Sequence, residues 1–164
     1  MADNRFEKMA EYITANQKKF YRLAYSYAGN EQDALDIVQN AICKALKNYN
    51  SIQNINYLST WFYRVLVNES LAFIKAHKRE ILKETQMLPE QPYVESAYDP
   101  IDSELYDAVN KLAPEVQTVL KLRFYEEFSL KEIASITNSN LNTVKARLYR
   151  GLQTLRMEVK DESI

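Results

Sequence analysis

Lys145, Arg147 and Arg150 fall within six consecutive positions near the end of the chain, interleaved with Ala146, Leu148 and Tyr149 and preceded by Thr143. Cations at this density bind phosphate, and on a helix that enters a major groove they also reach base edges. Whether they do depends on how the helix is held. Val144, Leu148, Leu152 and Leu155 recur at intervals of four, four and three and are expected to form one buried stripe, with the cations, Thr143 and Tyr149 off it. Upstream, Ser129 and Glu132 have the spacing of a capping box, Ile133, Ala134 and Ile136 give the intervening helix an apolar side, and Asn138 stands where the chain must turn. Asn140 can cap the next helix. An isolated basic helix would read as a solvated surface. A capped helix and turn immediately before it make a helix-turn-helix, with the second helix offered to DNA.

A second stripe suited to nucleic acid lies earlier. Arg64, Asn68, Leu71, Lys75 and Lys78 follow intervals of four, three, four and three and share one helical face, with Arg79 beside its end. Phe62, Leu66 and Phe73 mark the opposite side. The run Trp61-Phe-Tyr63 follows an Asn-rich stretch, and aromatic rings beside cations are what stacking on unpaired bases requires. Trp61 and Phe62 are expected to pack in a core, while Tyr63 is suited either to packing or to stacking.

The elements that must position these groups read as helices throughout. With 2 Gly and 4 Pro among 164 residues and 46% hydrophobic content, the chain favours packed helices over hairpins. Phe6 to Tyr27 forms a helical pattern ended by Gly29, and a new helix starts near Asn30. In it Leu35, Val38, Ile42, Ala45 and Leu46 are expected to face a core, with Asp33, Asp36, Gln39, Asn40 and Lys47 on the other side. Asn48 to Asn56 is too polar for a core element. Leu58 opens a long helix to about Lys83, and Pro114 suits the first turn of a later one. Formal net charge is -1, yet its distribution is uneven: Ser129 to Met157 holds five basic residues against one acidic, while seven acids from Glu84 to Asp107 run without a basic residue. Pro89, Pro92 and Pro100 fall in that acidic stretch, which reads as an extended linker over 84–100 between modules at 1–83 and 101–164.

Several chemistries find no support. The single cysteine, Cys43, excludes an internal disulfide, and the single histidine, His77, offers no His-based metal set or nucleophile pair. Converging carboxylates are not evident, so no enzyme, cofactor or small-molecule substrate is expected. No apolar run approaches the ~20 residues of a membrane span, and a cytoplasmic location is expected. A response regulator would need alternating strands and helices, which residues 1 to 100 lack. A plain helix-turn-helix regulator would use the C-terminal module alone.

Asp33-Ala-Leu-Asp-Ile-Val-Gln39, Trp61-Phe-Tyr-Arg-Val-Leu-Val-Asn68, Leu112-Ala-Pro-Glu115, Glu132-Ile-Ala134 and Thr143-Val-Lys-Ala-Arg-Leu148 together resemble the signatures of the extracytoplasmic-function (ECF) sigma factors of the sigma-70 family, in the family's order. The resemblance implies an all-α fold of two small helical domains, region 2 and region 4, joined by the acidic linker. It implies that Asp33, Asp36, Gln39 and Asn40 dock the β′ clamp of core RNA polymerase, with the β flap as a further contact. The loop Asn48 to Thr60 would receive a flipped minus-10 base. Tyr63, Arg64, Asn68, Lys75, Lys78 and Arg79 would hold the opened minus-10 DNA, and Asn142, Thr143, Lys145, Arg147, Tyr149 and Arg150 would read the minus-35 element. Stress-responsive promoters and an anti-sigma factor, membrane-anchored in many members, complete the implied setting. The chain departs from the family pattern at Leu35, Asn40, Ser139, Asn142 and Gly151.

Overall fold

The computed structural model describes the backbone of residues 3–84 and 103–162 and the side chains of 3–77 and 104–156. Of the linker expected over 84–100, Glu84 belongs to a helix and the rest lies outside the described residues. Those described form seven α-helices and no strand: α1 Arg5–Ala28, α2 Glu31–Lys47, α3 Leu58–Glu84, α4 Ser103–Asn110, α5 Pro114–Leu120, α6 Leu130–Thr137 and α7 Leu141–Glu162. Two short 3-10 turns, Tyr49–Ser51 and Ile55–Tyr57, join α2 to α3, and a π-wound segment, Lys121–Tyr125, extends α5.

Local chemistry accounts for the first three helices. Gly29 takes φ 78 and its N–H closes α1 on the Tyr25 carbonyl, a left-handed position that glycine occupies without strain. Asn30 then caps α2 by accepting from the Asp33 N–H at 2.9 Å. Within α1, Asn16 leaves helical geometry, and its amide donates to the Tyr12 carbonyl at 2.8 Å, so the helix bends around the core. That core holds Met9, Phe20, Leu23, Ala34, Ile37, Ala41, Phe62 and Leu66, all nearly or fully buried. Phe20 and Phe62 lie 4.3 Å apart between centroids at its centre.

Three expectations about packing need correction. Leu35 is 50% exposed, because Ala34, Ile37, Val38, Ala41 and Ala45 occupy the inner line of α2 and Leu35 lies one helical step, about 100°, away from it. Leu152 is also exposed. A Cβ on Gly151 would stand 2.8 Å from Leu120 Cδ1 and 2.9 Å from Val116 Cγ1, so α7 approaches α5 through the missing side chain and the inner line runs Val144, half-buried Leu148, Gly151, Leu155. In the Asn-rich connection Ile52 is buried at 2% exposure, held under Arg5, whose guanidinium donates to the Asn50 and Ile52 carbonyls.

The two halves, legible as separate modules, are packed together. Val119, Leu122, Phe128, Ile133, Ile136 and Val144 join α1–α3 in one hydrophobic cluster, while Val109, Val116, Leu120 and Leu155 form a smaller core of the C-terminal half alone. Tyr27 and Thr118 hydroxyls meet at 2.6 Å across the seam, and the Tyr106 hydroxyl donates to the Tyr25 and Ser26 carbonyls, each at 3.2 Å.

Lys121 is enclosed in this seam. Its Nζ donates to the Ser26 carbonyl at 3.0 Å and to Gln117 Oε1 at 3.1 Å, and it lies 3.8 Å from the Tyr27 ring centroid. Among the described residues no carboxylate forms a salt bridge with it. Burial therefore lowers its pKa from 10.5 to about 7. Unfolding restores the ordinary value. Above about pH 7 the unfolded chain keeps a proton that the folded chain has released, so this lysine makes stability rise with pH up to about 10 and a constant cost below 7. Chemical denaturation should show the parent gaining on Lys121→Met between about pH 7 and pH 9, with a slope approaching about 1.4 kcal/mol per unit. Parallel stability profiles for the two proteins would contradict an enclosed amino group.

Candidate nucleic-acid interface

The helix-turn-helix forms from the residues that specify it. Ser129 Oγ accepts from the Glu132 N–H at 3.1 Å and Glu132 Oε1 accepts from the Ser129 N–H at 3.0 Å, closing both arms of the capping box. Asn138 turns the chain at φ 52, ψ 44, and Asn140 Oδ1 accepts from the Thr143 N–H at 2.8 Å to start α7. Ile133, Ile136 and Val144 are fully buried between α6 and α7 and fix the crossing. The outer face of α7 then carries exposed Asn142, Lys145 and Arg150, half-buried Thr143, and Tyr149 at 67% exposure. Arg147 is half-buried. Its Nη1 donates to Ser139 Oγ at 3.2 Å, so the serine at the turn steadies a cation of the reading helix.

On α3, Asn68 and Lys75 are exposed along the expected stripe, and the side chains of Lys78 and Arg79 lie outside the described residues. The start of the stripe is different. Tyr63, suited by sequence to packing or stacking, is 3% exposed, with its ring edge-to-face against Phe20 and Phe128 and its hydroxyl donating to Glu126 Oε2 at 2.8 Å. Burial raises the pKa of the Tyr63 hydroxyl, and burial likewise raises that of the Glu126 carboxyl despite the Tyr63 hydrogen bond and the nearby Lys19 and Arg22. Arg64 donates through Nε, at 3.1 Å, and Nη2 to the Ser135 carbonyl in the last turn of α6. Beside it an open cleft of about 350 Å³ is lined by Lys44, Asn48, Ser51, Trp61, Arg64 and Asn68. Lys44 and Glu69 pair across that cleft between α2 and α3. Trp61 is half-buried against the core, and Tyr57, in the connection, is 63% exposed.

The polar face of α2 is open. Asp36, Gln39 and Asn40 are exposed, whereas Asp33 is half-buried and its Oδ2 accepts from Asn30 Nδ2 at 2.7 Å, so it serves the cap first. Next to Gln39, a groove of about 600 Å³ runs between α1 and α2, with Gln17, Lys18, Tyr21 and Arg22 on one wall and Leu35 and Ile42 on the other. The α1 residues gave no sequence signal of this groove. Exposed Leu35 is the feature that marks it. Cys43 is exposed, and His77 stacks on Phe73 at 5.6 Å. Among the described residues no cluster of potential metal ligands occurs and no helix is long and apolar enough to cross a membrane.

With this geometry in place, comparison with known proteins covers both halves. Residues 12–80 match the family model "Sigma-70 region 2" and residues 102–155 match "Sigma-70, region 4". The chain is 38% identical over 153 residues to "RNA polymerase sigma factor SigV" of Bacillus subtilis, covering 93% of this chain and 91% of that protein. It is 28% identical over 172 residues to "ECF RNA polymerase sigma factor SigW" of the same organism, covering 94% of this chain and 90% of the relative. A similar fold occurs in the sigma factor RpoE of Bartonella quintana, solved in complex with the anti-sigma factor NepR. The TM-score is 0.75 at 22% identity, over 92% of this chain and 96% of that one.

The capping box offers a direct check on the reading unit. Ser129→Ala removes the side-chain acceptor for the Glu132 N–H and should destabilise the protein by about 1 kcal/mol. Thermal unfolding of Ser129→Ala and of Ser129→Asp, which retains an acceptor, should separate the two. Equal losses would mean that the cap does not hold α6.

Proposed function

Because the chain belongs to the sigma-70 family of RNA polymerase sigma factors, we propose a division of labour among three of its surfaces. The chain is an ECF-type alternative sigma factor, which directs core RNA polymerase to promoter DNA and acts as an initiation factor beside the polymerase's own chemistry. In the proposed division, residues 1–83 dock the enzyme and engage the minus-10 element, 84–100 link, and 101–164 read the minus-35 element. The observation that carries this reading is the presence of both regions, in order, within one stretch aligned to SigV over 93% of the chain.

The chemistry of each surface supports its part. Asp36, Gln39 and Asn40 project from α2 with no packing duty beside the α1–α2 groove, which suits them to a protein partner such as the β′ clamp. Asp33 contributes by holding the start of that helix. The cleft at Asn48, Trp61, Arg64 and Asn68 combines an aromatic wall with amide and guanidinium donors, the groups that hold a base outside the stack. Lys75, with Lys78 and Arg79 further along α3, supplies charge for the strand backbone, and Tyr63 joins this surface only once released from its packing. On α7, Lys145, Arg150 and Tyr149 face outward with Asn142 and Thr143 nearer the helix start, the end that enters the major groove. Stress-responsive promoters, a cytoplasmic location and control by an anti-sigma factor are the setting that fits this part. A helix-turn-helix regulator working without polymerase would leave the α2 face and the α3 cleft without work.

Reconstitution with core RNA polymerase tests the whole reading. Run-off transcription from the promoter of its own gene should require the chain, and promoter binding by the chain alone, unaffected by polymerase, would instead support the simple regulator. Asp36→Ala with Gln39→Ala should lower affinity for core enzyme while changing stability by less than about 1 kcal/mol, as exposed positions do. Unchanged affinity in a titration would remove the docking assignment. Lys145→Ala or Arg150→Ala should weaken minus-35 duplex binding by roughly 1–3 kcal/mol where the side chain reads a base, and with a shallower salt dependence where it meets phosphate. Transcription indifferent to both changes would mean that another face of α7 meets DNA.

A further inference from the structure

Residues 3–6 hold one wall of the α3 cleft, and the preceding reading of that cleft as the place of an unpaired minus-10 base is the premise here. Asn48 and Ser51, from the connection between α2 and α3, line the cleft together with Trp61, Arg64 and Asn68. Within the first 3-10 turn of that connection the Ser51 N–H donates to the Asn48 carbonyl at 2.9 Å and the Ile52 N–H to the Tyr49 carbonyl at 3.3 Å. Arg5 takes two further carbonyls. Its Nη1 donates to Asn50, at 2.9 Å, and to Ile52, at 3.0 Å, the two residues that flank Ser51. The rest of the guanidinium is fixed from behind, with Nε donating to Asp3 Oδ1 at 3.0 Å and Nη2 to Asp3 Oδ2 at 2.9 Å. Phe6 adds an edge-to-face contact on the Tyr49 ring at 5.4 Å, and Ile52 closes the arrangement from inside.

We infer that Arg5 is a positioning residue for the cleft, holding Asn48 and Ser51 in place so that an unpaired base meets a wall already formed. An Asn-rich turn left to itself samples several backbone states, and ordering it on the arrival of a strand would cost affinity. Anchoring the backbone on both sides of Ser51 removes that cost in advance and fixes the direction in which its hydroxyl is presented. The Asn48 amide is tethered too, donating to the Lys44 carbonyl at 2.8 Å, which leaves its Oδ1 to accept from a base edge. A rigid wall also discriminates, because a base whose edge does not match leaves these groups unpaired. Lysine could not take the place of Arg5. An ammonium carries the same charge but lacks the planar fork that spans a carboxylate and two carbonyls at once.

The test uses the full chain, alone and with core RNA polymerase. Trp61, the one tryptophan of the sequence, lines the same cleft and reports on its wall without DNA. Arg5→Met removes the fork and should raise acrylamide quenching of Trp61 emission, with helical circular dichroism unchanged. With core polymerase, binding is measured to a premelted promoter carrying one abasic site at each unpaired minus-10 position in turn. The parent should lose roughly tenfold at one position, the scale of a single held base. Arg5→Met should show that loss already on the intact strand and nothing further when that base is removed, with the other positions as in the parent. Arg5→Lys should follow Arg5→Met. A parental abasic profile in Arg5→Met would overturn the positioning role, and recovery by Arg5→Lys would overturn it in favour of charge alone. An equal loss at every position would mean a general weakening of the first half and would overturn it as well. Should Arg5→Met lose helicity, Asp3→Ala frees the fork with the guanidinium still present, and the same outcomes decide. A rise in Trp61 quenching with no abasic-sensitive position in the parent would uphold the grip of Arg5 on the wall and count against the minus-10 reading instead.

Discussion

The packing of Tyr63 between Phe20 and Phe128 is the contact on which the rest of the arrangement turns. Its ring meets Phe20 at 5.5 Å and Phe128 at 4.8 Å, so a single aromatic side chain belongs at once to the three-helix bundle and to the C-terminal half. A buried phenol needs a partner, and Glu126 supplies it from the end of the π-wound segment. This fixes where the segment ends and places α6 over the start of α3. From that follow the position of the Ser135 carbonyl beside Arg64 and the enclosure of Lys121 against Ser26 and Tyr27.

Much of the local structure was legible in the sequence because it is written in residues with narrow conformational uses. Gly29, Asn30, Ser129 with Glu132, Asn138 and Asn140 each mark a helix end, and each takes its marked position. The long helix from Leu58 is helical through the expected Lys83 to Glu84, the last residue described before 103. Periodicity failed where contact was made by the absence of a side chain. Gly151 carries no apolar signal, yet it decides which line of α7 is inner and leaves Leu152 in solvent. Leu35 failed for a related reason: small Ala34 and Ala41 line the inner face of α2, and an apolar count gives the larger residue undue weight.

The joining of the two halves was not legible at all. Its contacts are long-range in sequence: Tyr27 with Thr118, Lys121 with Ser26, and Arg64 with Ser135. No local pattern encodes them, and Lys121, within a run of charged and aromatic residues, reads as an ordinary surface lysine until its surroundings are seen. The site residues were legible as sets and not as states. The α7 cations were expected outward and are, apart from the tether of Arg147 to Ser139. Tyr63 and Arg64, equally plain in sequence, are engaged elsewhere in the chain.

That contrast sorts the surfaces. Long-range electrostatic attraction acts on groups already in solvent, and these include the α7 cations and the polar face of α2. Of the α3 groups, Tyr63 and Arg64 are engaged within the chain, while Asn68 and Lys75 stand in solvent with the α7 cations. The Ser135 carbonyl is a neutral acceptor at the negative pole of α6, so a phosphate in its place would offer Arg64 a full charge instead of a dipole.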